Sequence, residues 1–394
     1  MASSCRRPSD MISNLPGNVI ETILMRLPIR DAVRTSILSR KWRYIWAKLP
    51  EIVFDDTLCQ ESVENQHGAK TKLAETIYQV LLLHHGPILK FTLSIPGLES
   101  SYEIDQLILF LLRNGIEDFT LQMRESEPYK LPAAFFSCIQ MKYLDLHFCV
   151  FKPSPSFKGF SRLTSLKFCE VNVGREIIES LISNCPLLEQ FTLKLTLEIS
   201  DSINYLEINA PNLKFFFFQG ILKSIWFKNA PLLAEVEIYT ENPVDNSLAV
   251  GGVPNKLSST LINLKILTLY EICFEQLDEV SCTLCLMRSS PTLQKITIEA
   301  CPDICGGIGV SEFLGRQHHS DIVLEKLQKV NMQVVSDTRA QLEFIKLLLA
   351  KSPVLETMLL EPKSMKADEG LNLLKVITQF RRASADAEVL FKDW

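Results

Sequence analysis

The chain has 394 residues, 47% hydrophobic and 22% charged, a globular composition in a length beyond one ordinary core, so several units or one repeated unit are expected. Its net charge of −5 is unevenly spread: residues 1–50 carry nine Lys or Arg against three acids, a balance of +6, and the remainder is −11. The acidic body argues against nucleic acid as its partner, and no apolar run approaches the roughly 20 residues that cross a bilayer, which argues against a membrane protein.

In chain order, residues 1–9 read as a disordered polar tail without the apolar core of a secretory signal. The eleven irregularly spaced cysteines then read as reduced thiols, and the expected location is cytoplasm or nucleus. Residues 14–50 accommodate three helices. The first starts at Pro16, stops before Pro28 and aligns Val19, Ile20, Ile23, Leu24 and Leu27 at helical spacing. The second covers about Asp31 to Leu38, with Ala32, Val33, Ser36 and Ile37 on one side. Ser39 is placed to cap a third, which would bring Trp42, Ile45 and Trp46 to one face. These helices carry more apolar surface than a module of this size hides by itself. It must be covered by the body of the same chain or by another protein.

Residues 51–87 read as a connecting segment. Beyond them the pattern apolar-x-x-apolar-x-apolar recurs, as in Met141-Lys-Tyr-Leu144-Asp-Leu146 and Leu163-Thr-Ser-Leu166-Lys-Phe168. Further copies begin at Ile88, Ile116, Leu188, Ile203, Leu213, Leu233, Leu264, Leu293, Leu327 and Leu355. Most spacings lie near the 20–29 residues of a leucine-rich repeat, one strand and one return segment per turn. The short gaps on either side of Ile203 leave no room for helices, so tight turns are expected over 193–213. Prolines two residues before the repeated leucines (Pro186, Pro211, Pro231, Pro291 and Pro353) mark the entry to each strand. Helical returns are expected at Glu176–Ser183 and Gln341–Leu349. Stacking such units supplies each with the apolar wall it lacks, and the strand residues between the apolar positions face solvent on the inner curve.

The head residues resemble an F-box. Leu15-Pro16, Val19-Ile20, Ile23-Leu24-x-x-Leu27-Pro28 and Ser39-Arg40-Lys41-Trp42 with Trp46 carry the resemblance, and Leu27 to Ser36 is most similar to the plant branch. The resemblance implies a three-helix module over residues 10–50 that docks on the acidic Skp-type adaptor of a cullin-based ubiquitin ligase. Its implied adaptor contacts are Leu15, Pro16, Ile20, Ile23, Leu24, Leu27, Pro28, Val33, Ser36, Leu38, Ser39 and Trp42. Residues 324–394, with Leu327-Gln-Lys-Val-Asn-Met and Ser352-Pro-Val-Leu-Glu-Thr-Met, resemble the FBD segment of plant F-box proteins with leucine-rich repeats. The expected fold is therefore α/β: an N-terminal three-helix F-box, then a curved leucine-rich-repeat solenoid over 88–323, capped by an FBD-like segment.

No catalytic signature occurs, and neither a cofactor nor a metal is expected. Cys282-x-x-Cys285 and Cys301-x-x-x-Cys305 approach zinc spacing, but Cys301 occupies the turn position after a repeat strand and the first pair falls on a return helix. Gly306-Gly-Ile-Gly309 lacks the strand, helix and Lys-Ser/Thr of a phosphate loop, and His318-His319 lacks partners at metal spacing. Within Phe215-Phe-Phe-Phe218 the register sends Phe216 and Phe218 inward and leaves Phe215 and Phe217 on the inner curve. Tyr205, Tyr239, Tyr270 and Tyr143 take equivalent positions, a candidate target-binding set. The implied function is target recognition for ubiquitination. A small-molecule receptor on the same scaffold, or an adaptor-binding scaffold without a role in degradation, remains open.

Overall fold

The computed structural model describes residues 12, 15–58, 66–95, 102–123, 127–195, 205–221, 224–240, 256–301, 309–317, 322–334, 339–362 and 367–392. The tail over 1–9, Ile203, Cys305, most of the Gly306–Gly309 run and His318-His319 lie outside these residues. Two compact units are present, Met1–Phe160 and Ser161–Trp394. No helix among the described residues is long and apolar enough to cross a membrane.

In the first unit, strands Glu51–Phe54, Lys90–Ser94, Asp118–Gln122 and Tyr143–His147 pair side by side, all parallel and in register. Alternation drives this arrangement: the inward positions Phe54, Phe91 and Phe119 are fully buried. Their rings follow one another from strand to strand at 5.8 and 6.2 Å, so each repeat's aromatic is the wall of the next. Glu51–Phe54 corrects the sequence expectation that residues 51–87 only connect. Leu49, Ile52 and Phe54 repeat the same apolar spacing and are buried. The helix Gln66–Leu83 then returns the chain to the second strand.

In the second unit the parallel row runs Ser165–Cys169, Gln190–Lys194, Phe215–Gly220, Glu235–Thr240, Ile266–Ile272, Lys295–Ala300, Lys329–Val334, Thr357–Pro362 and Glu388–Phe391. The expected return helices are Arg175–Ser183 and Arg339–Lys351, with Leu277–Arg288 between them in sequence. The prolines do more than end helices. Leu188, Leu213, Leu233, Leu293 and Leu355 each donate their backbone N–H to the carbonyl three residues earlier, 3.1–3.4 Å away. This places proline second in a β-turn, where its fixed φ is already correct. Successive turns are tied by side chains, Asn212 Nδ2 to the Pro186 carbonyl and Asn263 Nδ2 to the Pro231 carbonyl, both 2.7 Å.

One expected repeat is displaced. The strand after Ile203, Tyr205–Asn209, does not join the row; it pairs in parallel with Ser224–Asn229 in a separate two-stranded sheet. Phe215–Gly220 pairs directly with Gln190–Lys194 instead. Ten residues cannot carry a chain through a full repeat, so this segment is the return of the repeat beginning at Leu188. An extended return thus replaces the tight turns expected over 193–213.

Candidate interaction surfaces

The head opens with Pro16 in extended geometry, followed by helix Gly17–Leu24. A second proline, Pro28, opens helix Ile29–Arg34 in the same way, and the chain then tightens into a 3₁₀ turn at Thr35–Ile37. The third helix expected from Ser39 is not a regular one. Residues 40–45 form turns and Trp46–Lys48 a 3₁₀ turn. The Ser39 hydroxyl is shielded and caps nothing among the described residues.

Indole N–H groups hold this irregular stretch. Trp46 Nε1 donates to the Ser36 hydroxyl at 3.1 Å, that hydroxyl donates to the Arg43 carbonyl at 2.7 Å, and Trp42 Nε1 donates to the Ile12 carbonyl at 3.2 Å. Lys41 Nζ donates to the Leu15 carbonyl. The head is also anchored to the loop between helix Gln66–Leu83 and strand Lys90–Ser94. His85 and Gly86 donate their N–H groups to the Ala47 carbonyl at 2.8 and 3.2 Å. His84 Nε2 donates to the Leu49 carbonyl at 2.9 Å, and burial lowers the pKa of its ring.

This geometry sorts the expected adaptor contacts. Ile20, Leu24 and Trp42 are already buried within the chain, at 0%, 1% and 3% exposure, and Ser36 is committed to internal hydrogen bonds. These four build the module rather than its outer surface, a correction to the expected set. Leu15, Val33 and Ser39 are half-buried, while Pro16, Ile23, Leu27, Pro28 and Leu38 are exposed. Further exposed apolar side chains are Ile12, Val19, Met25 and above all Ile37, at 88%. Sequence spacing grouped Ile37 with Ala32 and Val33 on one side, but the chain tightens into a 3₁₀ turn at Thr35–Ile37 and leaves it outside. Basic groups accompany the apolar ones: Arg26, Arg40 and Arg43 are exposed.

The second surface is the open face of the repeat row. In the second unit Phe216 and Phe218 are fully buried and Phe215 and Phe217 half-buried, so the four phenylalanines split as alternation requires. Lys194 Nζ sits 5.0 Å from the Phe217 ring centre. Tyr239 and Tyr270 are register partners on adjacent strands, their rings 6.1 Å apart at 30°. Tyr205 is excluded from this face because its strand lies in the separate sheet. Tyr143 belongs to the first unit, where its hydroxyl is 3.4 Å from the Asp145 carboxylate on its own strand. Burial pushes the Cys282 thiol up to about 12 and raises that of Cys285.

Rows of parallel strands, one per repeat, joined to a proline-opened helical head with exposed apolar residues, define a leucine-rich-repeat protein with a small helical head. Comparison with known families matches residues 12–53 to the F-box domain. Residues 104–255 match a family described as "FBD-associated F-box protein At5g56370, LRR repeats". The F-box/FBD/LRR-repeat protein At1g13570 of Arabidopsis thaliana is 37% identical across 97% of this chain and 98% of its own. The F-box/LRR-repeat protein At4g14103 of the same plant is 30% identical across 52% of this chain and 54% of its own. The chain belongs to the F-box/FBD/LRR-repeat family.

Proposed function

We propose that this chain is the substrate-recognition subunit of a Skp–cullin–F-box ubiquitin ligase. The head docks on the Skp-type adaptor, and the open face of the repeats holds a target protein for ubiquitination. The observation that carries the reading is the exposure of Ile23, Leu27, Ile37 and Leu38 on a small head whose inner side is already satisfied by Ile20, Leu24 and Trp42. Apolar side chains left outward around a finished core are interface anchors. The exposed arginines Arg26, Arg40 and Arg43 of the same head suit an acidic partner. The chain's contribution to rate is proximity: a bound target meets the ubiquitin carrier in an effectively intramolecular step. No group of this chain takes part in bond making.

The test is binding of the intact chain to a purified Skp-type adaptor. Ile37→Asp with Leu38→Asp alters only exposed side chains, so the melting temperature should hold while adaptor binding is lost. Undiminished binding by a folded double variant would refute the assignment of the head.

A further inference from the structure

The open face of the second unit varies along its strands. At one end Lys295 and Lys329 are register partners on neighbouring strands. Two to four residues further along, roughly 7 to 13 Å at the ordinary strand rise, the character reverses. There Glu237 and Tyr239 of one strand flank Tyr270 of the next, and Glu299 approaches it from the strand beyond. Phe217 pairs in register with Glu237, and Gln219 with Tyr239. The surface is thus a stacked tyrosine pair and a phenylalanine ring with carboxylates set among them.

The carboxylates are not serving the fold. Among the described residues, Glu235, Glu237 and Glu299 have no Lys, Arg or His in ion-pair contact, whereas Glu51, Glu117, Glu189, Glu207 and Glu361 all do. The proximity of Glu235 to Glu237 is unfavourable. Burial, and then Glu235, raises the pKa of Glu237. The Tyr270 phenol is raised by burial first and then by Glu237, Glu299 and Glu235. The chain itself shows what the aromatic part of this face accepts, since the Lys194 ammonium lies over the Phe217 ring.

We infer that this surface receives a lysine- or arginine-bearing segment of the target, with a cationic side chain against the Tyr239–Tyr270 pair between Glu237 and Glu299. The inference rests on the reading that the open face of the repeats receives the target. Two aromatic faces cover the apolar stem and the flank of the cation, and the carboxylates meet its N–H groups. An acidic segment would set further negative charge against three unpaired carboxylates, and a nucleic acid would do the same. The basic head of a second copy is a weaker occupant, because its exposed face is assigned to the adaptor.

The experiment uses the intact chain and three fluorescent peptides: alternating lysine and serine, alternating arginine and serine, and alternating glutamate and serine. Anisotropy should show both basic peptides binding, more weakly as salt rises, and the acidic peptide not binding. Glu237→Gln with Glu299→Gln, and separately Tyr239→Leu with Tyr270→Leu, should each weaken the basic peptides by about tenfold or more. Lys295→Gln with Lys329→Gln should not weaken them. A melting curve on the same samples reports that each variant is folded, and adaptor binding is measured beside it. Equal binding of all three peptides, no binding of the basic ones, or indifference to both double variants would overturn the inference. So would self-association of the intact chain that disappears in the Glu237→Gln/Glu299→Gln variant, which would assign the surface to a second copy. A chain that binds adaptor but no basic peptide refutes this inference and leaves the ligase reading standing. One that binds basic peptide but no adaptor does the reverse.

Discussion

Gly86 lies so close to the backbone of Lys48 that a methyl group on it would stand 2.8 Å from the Lys48 carbonyl oxygen and 2.9 Å from its α-carbon. That approach lets the Gly86 and His85 N–H groups share the Ala47 carbonyl, so the end of the head is fastened to the start of the first full repeat. Gly86→Ala meets backbone on one side, which cannot swing away as a side chain could. The variant should lose about 1–3 kcal/mol in urea unfolding, and adding Lys48→Ala should restore nothing, because the clash involves no side-chain atom of Lys48. Wild-type stability in Gly86→Ala would show that the segment shifts freely and that the fastening is not rigid.

Ser36 and Ile37 are neighbours with opposite duties. Ser36→Ala removes the acceptor of the Trp46 indole and the donor to the Arg43 carbonyl, leaving a buried N–H without its partner. A stability loss of about 1–2 kcal/mol follows, with adaptor affinity changed only through the fraction folded. Ile37→Asp should show the reverse, a normal melt with lost affinity. A calorimetric binding titration on both variants separates the two roles. If Ser36→Ala abolishes binding without lowering stability, Ser36 belongs to the interface after all.

The four consecutive phenylalanines give an internal check on register. Phe216 is fully buried, 5.6 Å from Phe191 and 5.5 Å from Phe227 between ring centres, so Phe216→Ala opens a cavity and should cost about 3–5 kcal/mol. Phe217, half-buried on the open face, should cost much less when truncated. Denaturant midpoints of the two variants decide it, and similar losses would mean that the open face is covered.

Periodicity in the sequence reached most of this architecture, because apolar alternation is what folds it. It could not assign layers. The residues around Leu206 and Ile208 alternate as well as any strand of the row, since burial on either sheet imposes the same period; only the impossible ten-residue spacing before Leu213 marks them as a return. Leu49, Ile52 and Phe54 carried the signal of a first strand but lay far from Ile88, with helix Gln66–Leu83 filling the gap. Glu388–Phe391 was hidden for another reason: its leading position is Asp386 rather than an apolar residue. In the head, helical spacing found the core at Ile20 and Leu24 but misplaced Ile37, because nothing in Thr35-Ser-Ile announces a 3₁₀ turn. The carboxylates around Tyr270 were invisible for want of register, since Glu237 and Glu299 lie far apart in sequence and come to either side of Tyr270 only through strand pairing.

Stability should also depend on pH through Glu279. Its carboxylate accepts the Cys273 N–H at 2.9 Å and a hydrogen bond from Thr240. Burial outweighs both, and with Asp278 nearby the pKa stands at about 7 against an ordinary 4.5. The folded chain therefore keeps this proton after an unfolded chain has released it. Between these two values the folded state binds more protons, so this group's contribution to stability falls as pH rises through the window and levels off above about 7. Glu237 and Asp118, both raised chiefly by burial, act in the same direction, so the informative quantity is a difference between variants. Glu279→Gln keeps an acceptor for Cys273 and cannot ionise. Relative to wild type it should gain about 1–3 kcal/mol between pH of about 5 and about 8, read from urea midpoints at both ends of the range. A constant difference between the two chains across that range would mean that Glu279 is already ionised in the folded state, its hydrogen bonds from Cys273 and Thr240 outweighing its burial.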